Sequence, residues 1–221
     1  MQKINYHHGN LKEEFLKVAF EFIHSHDIDK LTLKVLSDAT GTSRSAIYRH
    51  FSSKDALMEE IIRQGFSDFD TQTAPILQNK EKSLIDRFYQ ASKAYIYWAK
   101  ENPNLYRLLF GKRYAYIREE IMSIKEKSCD GFGALHLAVE EGQESGILKK
   151  EESLKQSILI WSSLHGLASL IIDGFMDVEE IYEELIDDMF ALLLAGLISN
   201  KVKLLSVLPF GERVFSPKGS A

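Results

Sequence analysis

The side chains best equipped for chemistry cluster in one short run, Thr42-Ser43-Arg44-Ser45-Ala46-Ile47-Tyr48-Arg49-His50, followed closely by Lys54. A guanidinium can bond the edge of a guanine in bidentate fashion, and hydroxyl, imidazole and ammonium groups bond phosphate oxygens. No carboxylate lies between Asp38 and Asp55. The chain as a whole carries a net charge of −5, which taken alone argues against a polyanionic partner. Its distribution reverses that argument. Residues 1–55 hold 8 Lys/Arg against 7 Asp/Glu, with 5 of the 7 histidines, whereas the remainder holds 19 against 25. A local basic surface is what a phosphate backbone senses.

Other chemistries find less support. His7-His8 and His24-x-His26-Asp27 lack both the i, i+4 spacing and the third ligand that a zinc site favours, so no metal is expected. Cys129 is the single cysteine; it has no activating neighbour, and it excludes an intrachain disulfide. Gly131-x-Gly133 follows no strand and is a poor phosphate cradle. The pairs Glu140-Glu141 and Glu179-Glu180 read as solvated helix faces. Neither an enzyme nor a cofactor is indicated.

The basic run needs elements to hold it, and its flanks supply them. Thr32 is placed to cap a short helix in which Leu33, Leu36 and Ala39 share one face, with Lys34, Ser37 and Asp38 elsewhere. Gly41 falls where that helix must end, as suits a residue tolerant of positive φ. Ser43 then caps a second helix with Arg44, Ser45 and Ala46 in its first turn, anchored by Ile47 and Phe51. Two short helices joined by a tight glycine turn form a helix-turn-helix, whose second helix offers its amino-terminal residues to the major groove. Arg44 is the candidate for base readout. Thr32, Thr42, Ser43, Tyr48, His50 and Lys54 are the candidates for phosphate contact, with Ser45, Ala46 and Arg49 on the same helix.

From Leu11 to Leu57 the chain resembles the TetR family of bacterial transcriptional regulators. The resemblance rests on Leu31-Thr32-Leu33, Ala39-x-Gly41-x-Ser43 and, most specifically, Ile47-Tyr48-Arg49-His50-Phe51-x-x-Lys54-Asp55-Ala56-Leu57. Thr42 stands where the family usually has an apolar residue, and Asp27-Ile28-Asp29 where a glycine often ends the first helix. Downstream, Asn102-Pro103-x-Leu105-Tyr106-x-x-x-Phe110 and Trp161-x-x-x-His165-Gly166 resemble the subgroup named for its Trp-His-Gly signature, as does Tyr6-His7-His8-Gly9-Asn10-Leu11. The resemblance implies a homodimeric repressor on a palindromic double-stranded operator, released by a small-molecule effector. An activator, a regulator answering to a protein partner and a helical interaction module are the open alternatives.

Helical periodicity dominates the rest, and the chain is read as all-α. A first helix is expected over Asn10–Ser25, with Phe15, Ala19, Phe22 and Ile23 inward. Residues 1–57 form the expected DNA-binding domain. A connector helix spans about 53–73 and stops before Pro75; residues 75–200 form a regulatory and dimerisation domain, and 201–221 an irregular arm. Leu84, Phe88, Ala91, Tyr95 and Trp98 make a regular apolar stripe. A long helix is expected over Tyr114–Val139, bent by its glycines, then two apolar helices over Leu154–Ile172 and Val178–Leu197. Small residues on these (Gly166, Ala168 and Ser169; Ala191, Ala195 and Gly196) suit close helix approach in a dimer. Tyr95, Trp98, Tyr106, Phe110, Phe132, Trp161 and His165 are the candidates for contact with a partly apolar effector. No stretch has the length and apolarity of a membrane span, and the first residues lack the apolar core of a signal peptide, so a cytoplasmic location is expected.

Overall fold

The structure, a computed structural model, describes residues 11–124, 131–175 and 181–199. Ten α-helices form within them: α1 (Leu11–Ser25), α2 (Leu33–Ala39), α3 (Arg44–His50), α4 (Lys54–Gln78), α5 (Leu84–Glu101), α6 (Pro103–Phe110), α7 (Ala115–Ile124), α8 (Gly131–Glu144), α9 (Ser153–Ile172) and α10 (Tyr182–Leu197). The only β-type pairing among the described residues is a single antiparallel bridge between Leu148 and Ile198. Asn10, Cys129, residues 176–180 and the arm 201–221 lie outside the described residues.

The helices group into two compact units. One holds α1–α3, α4 as far as Ser67, and 102–124; the other holds the rest of α4, α5 and α8–α10. The boundary thus falls inside α4, between Ser67 and Asp68. Assigning 102–124 to the first unit differs from a division that places everything after residue 75 in the regulatory part. The cause is close packing of α6 on α4. Gly65 has no side chain, and a Cβ there would stand 3.0 Å from Leu109 and 3.1 Å from Leu105. Phe66 meets Phe110 edge-on at 5.7 Å. Asn104 donates to the Ile23 carbonyl at 2.9 Å and to that of His26 at 3.3 Å, satisfying acceptors at the end of α1 that the helix leaves open. Arg113 pairs with Asp29.

The core of the first unit is built from Phe15, Leu36, Ile47, Phe51, Leu57 and Ile61, all essentially inaccessible. Each contributes roughly 1.5–3 kcal/mol by leaving water. In α2 the inward face is Leu33, Leu36 and Ser37, whereas Ala39 is exposed. This reverses the expected places of Ser37 and Ala39. The helix has only seven residues, and Ser37 can be buried because its hydroxyl donates to the Lys34 carbonyl at 2.9 Å.

In the second unit, α4 runs past Pro75 to Gln78 instead of stopping before the proline. Its last turn is retained because Leu77 is buried and its carbonyl accepts from Arg87 Nη1 at 2.7 Å. Arg87 is itself only 2% exposed and pairs with Glu141, which also receives Lys80. Glu141 is therefore the part-buried counter-ion of a buried arginine and not a fully solvated face. Burial alone would raise its pKa, but the bonds from Arg87 and Lys80 prevail and hold it below the ordinary value. The stripe of α5 is buried throughout, from Leu84 to Trp98. A polar seam joins α5 to α10: Tyr89 donates to Asp187 at 2.7 Å, and Lys93 and Tyr97 donate to Glu183 at 3.1 and 2.6 Å. The Tyr89 hydroxyl is pushed up to about 12, first by burial and then by its bond to the Asp187 carboxylate.

Candidate nucleic-acid interface and effector site

The turn between α2 and α3 shows how the sequence builds a reading head. Gly41 has φ +65°, where an L side chain would be strained. The Thr42 amide donates back to the Ser37 carbonyl at 2.9 Å and the Gly41 amide to Asp38 at 3.2 Å, the paired bonds of a Schellman ending. That motif commonly adds an apolar contact, for which Thr42 offers only a methyl group. Its half-buried hydroxyl instead pairs with that of Thr40 at 2.9 Å, and Thr40 bonds the Leu36 carbonyl at 2.8 Å.

The two expected caps are formed. Thr32 accepts from the Val35 amide at 3.1 Å and Ser43 from the Ala46 amide at 3.2 Å. Each cap spends a lone pair of its hydroxyl and not its proton. Ser43 and Ser45 lie 2.9 Å apart, oxygen to oxygen. Ser53 caps α4 in the same way through the Ala56 amide, placing Lys54 at the first helical position.

Beyond these caps, α3 turns Ile47 inward and presents Arg44, Ser45, Tyr48, Arg49 and His50 outward. Tyr48 is 55% exposed. The His50 ring rests edge-on against Phe15 at 5.9 Å, which fixes its direction while leaving it accessible. Ala46 and Lys54 are half-buried. Among the described residues, none of the ion pairs takes up Arg44, Arg49 or Lys54, while Lys12, Arg63 and Arg113 are each matched to a carboxylate. The structure thus gathers all ten DNA-facing candidates into one unit, with Thr42 the one most engaged internally.

The aromatic candidates divide. Tyr95, Trp98, Phe132, Trp161 and His165 belong to the second unit. There Trp161 Nε1 donates to the Tyr95 hydroxyl at 3.3 Å, and His165 Nδ1 lies 3.4 Å from the same oxygen. Phe132 meets Trp161 edge-on at 5.9 Å. Phe69 joins them, 5.1 Å from Tyr95 and 5.0 Å from Trp98. Sequence reading omitted Phe69, although it continues the stripe of Leu57, Ile61 and Phe66 along α4. Tyr106 and Phe110 belong to the first unit, where Tyr106 is 1% exposed and the two rings lie 4.7 Å apart.

An open apolar groove of about 460 Å³ runs along α9 and α10, lined by residues including Leu167, Leu170, Met189, Leu192 and Leu193. Leu192 is 76% exposed. Gly166 and Gly196 lie on exposed surface with open space around them, but Ala168 and Ala191 are turned into their own unit. Among the described residues, no group of three or more His, Cys, Asp or Glu could hold a metal ion, and no helix is long and apolar enough to cross a membrane.

A seven-residue reading helix capped by serine, carried on a helical body, is the architecture of helix-turn-helix regulators. The chain matches the family of bacterial regulatory proteins of the tetR type over residues 15–61, and a tetracyclin repressor-like C-terminal domain over residues 88–189. It belongs to the TetR family, a family of transcriptional regulators and not of enzymes. The C-terminal match does not carry the name of the Trp-His-Gly subgroup. Among relatives, the nucleoid occlusion factor SlmA of Aliivibrio fischeri (strain MJ11) is 28% identical over 115 residues. That alignment covers 52% of this chain and 58% of that protein, so the chain spans little more than half the length of the curated relatives it matches. The fold is shared with a protein of unknown function from Rhodococcus sp. RHA1, at a TM-score of 0.73 and 22% identity, covering 89% of this chain and 100% of that one. A TetR-family transcriptional regulator from Haemophilus influenzae Rd has a TM-score of 0.58 at 21% identity, covering 82% and 94%.

Proposed function

We propose that the protein is a homodimeric repressor that lies on a palindromic operator and leaves it when a small molecule binds the second unit. The observation that carries this reading is the outward face of α3, where Arg44 and Arg49 stand exposed and unmatched by any carboxylate among the described residues. Arg44, in the first turn, is assigned the base edge, in bidentate contact with guanine. Thr32 and Ser43 are assigned phosphate contacts through the hydroxyl protons left over from capping. Tyr48, His50 and Lys54 extend that grip, and Thr42 contributes chiefly by holding the turn.

Two such heads need a two-fold joint that sets half-sites about 34–36 Å apart. The groove and exposed leucines along α9 and α10 support that joint, since large apolar patches mark interaction sites. The effector is assigned to the Tyr95, Phe132, Trp161 and His165 group, where rings surround a few polar atoms. It must bind the DNA-incompetent form more tightly than the competent one. The test is selection of a duplex from a random pool, followed by a salt series on wild type and Arg44→Ala. Affinity should fall steeply with salt, and the variant should lose discrimination at one base pair. Affinity for duplex that is insensitive to salt would refute the reading. A regulator without a small-molecule ligand would bind the duplex equally well with and without metabolite extracts.

A further inference from the structure

Helix α8 is joined to α4 at two points, both within the second unit. At its first residue, the Gly131 amide donates to Asp70 Oδ1 at 2.9 Å. At its last turn, Glu141 pairs with Arg87, which in turn donates to the Leu77 carbonyl of α4. The next residue after Gly131 is Phe132, whose ring stands edge-on to Trp161. The first joint has little slack. A Cβ at Gly131 would come within 2.9 Å of Thr73 Oγ1 and 3.1 Å of Asp70 Oδ1. A rotation of the first turn of α8 that carries the Phe132 ring with it therefore moves an amide that is already seated against α4.

We propose that Asp70 is a positioning residue: its bond to the Gly131 amide is the latch that ties the Phe132–Trp161 ring pair to residues 70–77 of α4. A carboxylate suits this role because the first amides of a helix lack intrahelical partners and carry the positive end of the dipole. Such a bond is strong when aligned and weakens steeply with angle, so a small turn of α8 releases it. The Arg87–Glu141 pair fixes the far end of α8, so that the movement is concentrated at Gly131. The regulatory meaning of the latch rests on the proposed effector reading, but the mechanical link does not require a ligand.

The test is a double-mutant cycle read by amide hydrogen exchange on the full chain, with wild type, Phe132→Ala, Asp70→Ala and the double variant. Each single change should speed exchange in residues 70–78 by about fivefold, the scale of a lost helix cap. The double variant should be no faster than the faster single one, because both act through one bond. Asp70→Asn, which keeps an acceptor oxygen, should recover most of the protection. Effects of the two changes that multiply, or an Asn variant as fast as Ala, would overturn the latch. If an alanine variant loses its cooperative urea transition, the milder pair Asp70→Asn and Phe132→Leu must show the same non-additivity. A search in which no small molecule alters duplex affinity would sink the effector reading and leave the exchange result standing. Multiplicative exchange would sink the latch even with an effector in hand.

Discussion

The reading helix of the first unit and the core of the second use arginine in opposite ways. In the first, Arg44 and Arg49 lie exposed on a seven-residue helix, and the described residues supply no carboxylate to either. In the second, Arg87 is buried and its guanidinium is shared between Glu141 and a backbone carbonyl. The lysines differ in the same way. Among the described residues Lys54 has no ion pair at the start of α4, whereas Lys93 is raised above its ordinary pKa, burial being outweighed by its bonds to Tyr97 and Glu183. A cation whose partner is built into the chain serves the fold; a cation left unmatched beside others is available to an outside anion. Residue type does not tell these apart, but the neighbours do.

The largest effect that could break this comparison is in the second unit. Glu141→Ala leaves the buried Arg87 charge with one carbonyl and no counter-ion, and should cost about 3 kcal/mol of unfolding free energy. Lys80→Ala removes only the exposed arm of the same network and should cost less than about 1 kcal/mol. Urea unfolding of both variants decides it, and equal losses would mean that burial of Arg87 is not what matters. Acid provides an independent check. Because the folded pKa of Glu141 lies below its ordinary 4.5, its contribution is complete above that value and disappears as pH falls below it. Glu141→Gln should therefore flatten the acid limb of the stability curve.

In the first unit the corresponding substitution should leave stability alone and change binding. Arg44→Ala is expected to lose about 1–3 kcal/mol of affinity for the selected duplex, with the loss confined to one base pair. Its urea midpoint should stay within experimental error of wild type, since no described contact of Arg44 is broken. A shifted midpoint would mean that Arg44, like Arg87, serves the fold.

The division between what the sequence revealed and what it concealed follows the same lines. Thr32, Gly41, Ser43 and Ile47 were legible because capping, positive φ and i, i+4 anchoring are local rules satisfied within a few residues. Ser37 and Ala39 exchanged places because a seven-residue helix offers too few turns for periodicity to choose between adjacent positions. Glu141 looked like a solvated face because its partner lies 54 residues away and only the fold brings it near. Pro75 appeared to end a helix, yet Arg87, ten residues beyond Leu77, holds the next turn in place through the Leu77 carbonyl. The same blindness divided the aromatic list: Tyr106 follows α6 onto the reading head, drawn there by the missing side chain of Gly65.

A smaller effect sharpens the comparison at the joint between capping and recognition. Ser43→Ala removes the acceptor for the Ala46 amide and should destabilise α3 by about 1 kcal/mol. It also removes a hydroxyl assigned to phosphate. Ser43→Asp separates the two, because aspartate caps as well as serine but repels the DNA backbone. Stability should return in this variant while affinity falls further. Recovery of both would restrict Ser43 to capping.

The finest distinction concerns Lys54, which stands both at the first position of α4 and beside the proposed duplex. A lysine at a helix amino terminus faces the positive end of the dipole, so the fold gains nothing from its charge there. Its placement is better explained by an external anion. If that anion is a phosphate, Lys54→Ala should weaken binding to every duplex to the same degree and lower the slope of log affinity against log salt by about one unit. The same variant should unfold at a slightly higher urea concentration than wild type, because an unfavourable charge has left the helix end. An unchanged salt slope together with raised stability would show a charge that neither the fold nor the DNA uses, and the rule that an unmatched cation waits for an outside anion would then fail at its most exposed test.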